Sequence, residues 1–193
     1  MRFYQNLQTI ELDVDEVIRA KRFAEKVVDT TDYSDSNQSF RVKIQQDHFI
    51  SKLGEEAAKK VLQTYARVEG PDYVIYEGVE KSWEADLLVN GIELAVKTQS
   101  QSSAVKYGKS WTFQSGTTRR DTILDKPQAW VCFVLFDDEH PYQFTVYPPY
   151  QISELVFGEP KLAHLKGSKK VVYESGLPLI QHSLIRLSSP PNE

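Results

Sequence analysis

A single cysteine, Cys132, stands in the 193-residue chain, inside the apolar run AWVCFVLF. Disulfides within the chain are therefore excluded, and a buried, reduced thiol in a cytoplasmic protein is the expectation. Long apolar runs are missing as well. No stretch approaches the roughly 20 apolar residues that span a bilayer, and MRFYQNLQTIELDVDEV has no basic stretch leading into an apolar one, as a secretory signal has. The four histidines are scattered without HxH or HExxH spacing, which speaks against a zinc site. No phosphate loop of the form GxxxxGK with Ser or Thr is present, and no GxSxG nucleophile turn. An excess of positive charge is lacking too: the formal net charge of −4 weighs against a protein that coats nucleic acid without selectivity. It leaves open an enzyme with a local basic cleft and a metal ion.

What is present reads as one domain spanning 1–193, with an N-terminal helical segment (1–45), a core (about 46–160) and a C-terminal extension (161–193). Residues 11–29 carry apolar positions at helical spacing. The polar stretch DTTDYSDSNQS reads as a loop, FRVKIQ as a short strand, and residues 47–70 as a second helix ended by Gly70-Pro71. From Tyr73 the character turns to β: YVIYEG, WEADLLV, IELAVKTQ, AWVCFVLFD and YQFTVYP all read as strands. AWVCFVLFD is apolar nearly throughout and should lie centrally. PYQISELVFG suggests a short helix, and the tail SSPPNE a frayed end. The sum is an α/β fold with a central mixed sheet flanked by helices.

Asn90-Gly91 is the strongest short-range hairpin signal in the chain. A two-residue turn there sets Val89 opposite Ile92, Leu88 opposite Glu93, Leu87 opposite Leu94 and Asp86 opposite Ala95. Because faces alternate along a strand, Ala85, Leu87, Val89, Ile92, Leu94 and Val96 share one apolar face. Glu84, Asp86, Leu88, Glu93, Ala95, Lys97 and Gln99 share the other, and a one-residue slip would reverse the segregation. Taken alone, acids and a lysine on that face suit a solvated sheet surface as well as an active site.

An Asp near the end of one strand, followed by (D/E)-X-K on the next, is the signature of PD-(D/E)XK nucleases, and the hairpin resembles it. Asp86 matches the first acid and Lys97 the lysine, while the position two before the lysine is Ala95, so the motif reads D-x8-A-x-K. The resemblance implies a restriction-endonuclease-like core over roughly residues 50–150 and Mg²⁺-dependent cleavage of duplex DNA by a homodimer. It implies Asp86, the position of Ala95 and the Val96 carbonyl as metal ligands, Lys97 as the group that activates water, and Glu55 or Glu56 as a helix-borne assistant. Alanine cannot bind metal. Ala95 is read first as a replacement that silences the enzyme, and otherwise as a natural alteration with Glu93 as a migrated acid. A junction-selective nuclease and a catalytically dead DNA-binding relative are the alternatives.

Downstream, QSQSSAVKYGKSWTFQSGTTRRD offers hydroxyls, amides and cations of the kind that contact phosphates and base edges. Gln99, Lys106, Lys109, Trp111, Gln114, Arg119 and Arg120 are the candidate DNA contacts there, with packing of Trp111 and Phe113 into the core as the plainer reading. Lys161, Lys166, Lys169 and Lys170 form a second basic cluster, read as surface.

Overall fold

The computed structural model describes residues 1–29, 40–75, 85–117, 119–140 and 142–178. Two long helices lead the chain: α1 (Val14–Val27) and α2 (Arg41–Leu62), preceded by a short strand β1 (Gln8–Glu11). Asp13 caps α1 with a reciprocal capping box through Glu16, two backbone donors being satisfied at once. The stretch FRVKIQ opens α2 rather than forming a strand: Phe40 is its N-cap, and Ile44 is buried within its first turns. The helix also ends before the expected Gly70-Pro71, and Val68–Glu69 form a short strand, β2.

The hairpin is β3 (Leu87–Val89) and β4 (Ile92–Ser100). After it come α3 (Gln101–Tyr107), β5 (Ser110–Gln114), β6 (Trp130–Phe136), β7 (Gln143–Val146), β8 (Tyr150–Gln151) and β9 (Lys169–Tyr173). PYQISELVFG yields β8 and a single 3₁₀ turn at Ile152–Glu154, not an α-helix. YVIYEG and WEADLLV reach into 76–84, outside the described residues, and so does Glu84; the frayed tail lies outside them too.

The main sheet runs β1-β7-β6-β4-β3-β2, with β8 also paired to β6. Its β4–β6 pair is parallel and the rest antiparallel, so the expected mixed sheet is present. Strand β6 is central and buried on both faces, which explains its continuous apolar run. Its Cys132, Val134 and Phe136 point into a core built with α2, through Leu53, Ala57, Ala58, Val61 and Leu62. Val131, Phe133 and Leu135 point the other way, into a second core. That second core is closed by an unforeseen layer, the two-stranded β5–β9 sheet, whose Trp111, Phe113 and Val172 are all but fully buried. The main sheet is thus held between α2 on one face and β5–β9 on the other.

Candidate functional site

Asn90 and Gly91 both have positive φ (51° and 77°), the requirement of a tight type I′ hairpin turn. The register follows as expected: Val89 faces Ile92, Leu88 faces Glu93, and Leu87 faces Leu94. There the ladder stops. Asp86 does not continue it opposite Ala95; its Oδ2 instead accepts the Val96 backbone N–H at 2.7 Å. The carboxylate thus takes the place of a strand partner. Because a strand residue's N–H and C=O point to the same edge, the Val96 carbonyl also faces the Asp86 side.

This early departure of the chain leaves an open edge. From Ala95 to Ser100, β4 pairs with β6 on one side, and no described strand pairs with the other. A cleft of about 660 Å³ runs along that edge, between the two layers that cover the sheet. Lys43, Asp47 and Ser51 of α2 form one wall, Lys97 to Ser100 the floor, and Ser110, Thr112, Val171 and Tyr173 of the small sheet the other wall. Asp86 lies at one end.

Glu55 of α2 is 3 % exposed. Lys52 Nζ lies 2.5 Å from its Oε2, and the Ser51 hydroxyl donates to its Oε1 at 3.3 Å. Burial, reinforced by the negative charge of Asp86, nevertheless pushes the Glu55 carboxyl up to about 8. Burial raises Asp86 as well, partly offset by the Val96 N–H and the Lys97 ammonium. Two carboxyls that each disfavour the other's ionised form, beside an unpaired strand edge, are where a hard cation would be stabilised. Glu56, the neighbouring candidate, turns elsewhere: it is held by Arg19 at 2.6 Å and by the Tyr73 hydroxyl at 2.9 Å, in a network between α1 and α2.

Lys97 donates to Asp121 Oδ2 at 2.7 Å and lies over the Phe113 ring, 5.1 Å from its centroid. Asp121 is itself fixed: its Oδ2 accepts the Gln114 N–H at 3.2 Å, and its own N–H donates to the Gln114 carbonyl at 2.9 Å. Sequence reasoning missed Asp121. No motif spacing ties it to Lys97, and only the folding of β5 onto the second core brings them together.

No family model, no curated protein and no solved structure matches the chain. Its chemistry rests on its own residues.

The remaining candidates divide. Ala95 packs at the margin of the second core and brings no donor. Glu93 pairs with Lys126 at 3.4 Å and shares a groove of about 530 Å³ with Asp86. Trp111 is 1 % exposed and donates its indole N–H to the Val134 carbonyl, so its expected contact with DNA is replaced by a packing role. The Gln99 amide is consumed by the Gly108 carbonyl and the Ser110 N–H, which removes it from the readout of bases. Lys109 is paired with Glu174, and Arg120 is paired in bidentate fashion with Asp125. Lys106 sits over the Tyr107 ring on α3. Gln114 is half-buried, and its backbone is committed to Asp121. Arg119 is half-buried with no ion-pair partner among the described residues. Among the described residues no three His, Cys, Asp or Glu side chains are grouped closely enough to hold a metal by themselves.

Proposed function

We propose that the chain is a nuclease of the PD-(D/E)XK type that acts on duplex DNA as a homodimer with Mg²⁺, and that its site lacks one acid, at Ala95. The observation that carries this reading is the convergence of Asp86, Glu55 and Lys97 from three separate elements at the open edge of β4. Mg²⁺ is ordinarily held by one or two carboxylates together with waters and substrate phosphate. Here Asp86 and the Val96 carbonyl would bind it directly and Glu55 through water, so the residues fit a weakly held ion. When bound, the ion supplies charge neutralisation at the scissile phosphate and an acidified water.

The chain's own residues supply the rest. Lys97, held in place by Asp121 at 2.7 Å, stabilises negative charge developing on the phosphate and orients the attacking water. The cleft wall of α2 and the facing β5–β9 sheet align the backbone of the strand to be cut. A dimer suits palindromic DNA because both share a two-fold axis.

A second reading, a DNA-binding relative without cleavage, is favoured by the packing of Ala95, whose methyl group suits the apolar margin around it. One experiment separates them: Mg²⁺-dependent nicking of plasmid DNA by the chain as it stands and by Ala95→Glu, with Asp86→Asn added to each. The nuclease reading expects Ala95→Glu to gain at least about tenfold, the size of effect a positioned metal ligand carries, and Asp86→Asn to abolish the gain. A folded Ala95→Glu variant without added cleavage, in a chain that still shifts duplex DNA in Ca²⁺, would leave the second reading standing.

A further inference from the structure

The outer row of the β5–β9 sheet does not stop at the cleft residues. Register pairs Ser110 with Tyr173, Thr112 with Val171 and Gln114 with Lys169. These six therefore share one face of the small sheet, and the first four line the cleft. Lys169 is the next residue along that row, at the end of the sheet nearest Asp121. Lys170, its neighbour in sequence, belongs to the opposite face with Phe113 and is exposed.

The loop between β5 and Asp121 folds back onto this end. Ser115 N–H donates to the Ser168 carbonyl at 2.9 Å, Ser115 bridges to Arg120, and Gly116 lies against both the Arg119 carbonyl and Ser168. Arg119 is thereby brought beside Lys169. Both are half-buried, and neither has a carboxylate within ion-pair distance among the described residues, whereas Lys97, Lys109 and Arg120 all do. Burial and the Arg119 charge hold Lys169 below the ordinary lysine range, and Lys43 of α2 acts in the same direction. Asp47 and Asp121 offset this only in part. Two cations kept together with no carboxylate in ion-pair contact among the described residues are a place where an anion is worth more than water.

We propose that Lys169 and Arg119 form a phosphodiester-binding site at the mouth of the cleft, which grips the nucleic-acid backbone beside the phosphate presented to Asp86 and Lys97. The site rests on the nuclease reading for its ligand and deepens it by naming where the strand is held. Arg119 offers a planar fork suited to phosphate oxygens from the loop after β5, and Lys169 a point charge from β9. Because Asp121 holds Lys97 and also closes the loop that carries Arg119, a phosphate at this anchor sits in fixed register with the lysine.

Salt dependence tests it. Binding of a short fluorescent duplex of mixed sequence is followed by anisotropy in Ca²⁺ over a series of KCl concentrations. Each phosphate contact contributes about 0.9 to the slope of log affinity against log salt. Lys169→Gln and Arg119→Gln should each flatten the slope by about one. Lys169→Arg should keep the slope, and Lys170→Gln should leave it unchanged. Thermal melts of each variant separate a lost contact from a lost fold. If the unaltered chain binds duplex and both glutamine variants keep its slope, the anchor is wrong and the nuclease reading survives. If the unaltered chain binds no duplex, the nuclease reading falls and takes the anchor with it.

Discussion

Gly54 of α2 lies so close to Thr98 of β4 that a Cβ at position 54 would stand 1.8 Å from Thr98 Oγ1 and 2.9 Å from Thr98 Cβ. The helix backbone at Gly54 is seated against the Thr98 side chain, and this seating carries the next residue, Glu55, toward Asp86. Gly54→Ala would gain roughly 1 kcal/mol of intrinsic helix preference. The contact should overrule that gain. An overpacked core costs about 1–3 kcal/mol, so Gly54→Ala is expected to lower the urea midpoint, and Thr98→Ala in the same chain should recover part of the loss. A neutral or stabilising Gly54→Ala would show that helix and strand are not so tightly joined.

The Asp86 carboxylate does the work of a missing strand residue by accepting the Val96 N–H. Asp86→Asn keeps an acceptor and loses the charge, so stability should change by less than about 1 kcal/mol while the metal-dependent cleavage gained with Ala95→Glu disappears. Asp86→Ala leaves that N–H without its partner and should cost about 1–3 kcal/mol. Chemical denaturation and nicking of plasmid by both variants check the pair. Equal stability losses for Asn and Ala would mean that the hydrogen bond is not what matters.

Lys97 and Asp121 should behave as a unit. Asp121→Ala frees the ammonium and also strips the Gln114 N–H of its side-chain acceptor. The expected loss is about 1–3 kcal/mol, with Asp121→Asn milder because an amide oxygen still accepts from Gln114. A double-mutant cycle with Lys97→Met should give a coupling of at least about 0.5 kcal/mol. Additive effects would contradict the geometry.

Parts of this arrangement were legible in the sequence for a physical reason. A two-residue turn fixes register locally, so Asn90-Gly91 sufficed to pair Leu87 with Leu94 and to set Asp86 near β4. The continuous apolar run of β6 likewise follows from burial on both faces. Other parts depend on contacts that no period encodes. Trp111 pairs with Val172 across a long stretch of intervening chain, so a segment that reads as a polar, basic loop is a strand covering the second core. The departure of Asp86 from the ladder moves its carboxylate from a face to an edge, and pattern counting does not distinguish the two. FRVKIQ misled because six residues sample fewer than two helical turns, too few to separate a helical period from a weak alternation.

The pH dependence of stability follows from Glu55. Its folded-state value of about 8 stands above the ordinary 4.5, chiefly through burial and then through Asp86. Between these values the folded chain binds more protons than the unfolded chain, so stability falls as pH rises. The contribution is fully present below the ordinary value and is lost as pH climbs through about 8. In metal-free buffer, the difference in unfolding free energy between the unaltered chain and Glu55→Gln should therefore shift steadily in favour of the glutamine variant toward alkaline pH. Its slope should reach at most about 1.4 kcal/mol per pH unit, the limit for one proton. Glutamine stays neutral throughout and nearly fills the space of the carboxyl. Mg²⁺ should reverse the trend in the unaltered chain, since a cation near Asp86 favours the ionised form of both carboxyls. Parallel stability curves for the two proteins across the window from about pH 5 to about pH 9 would mean that Glu55 is already ionised in the folded chain.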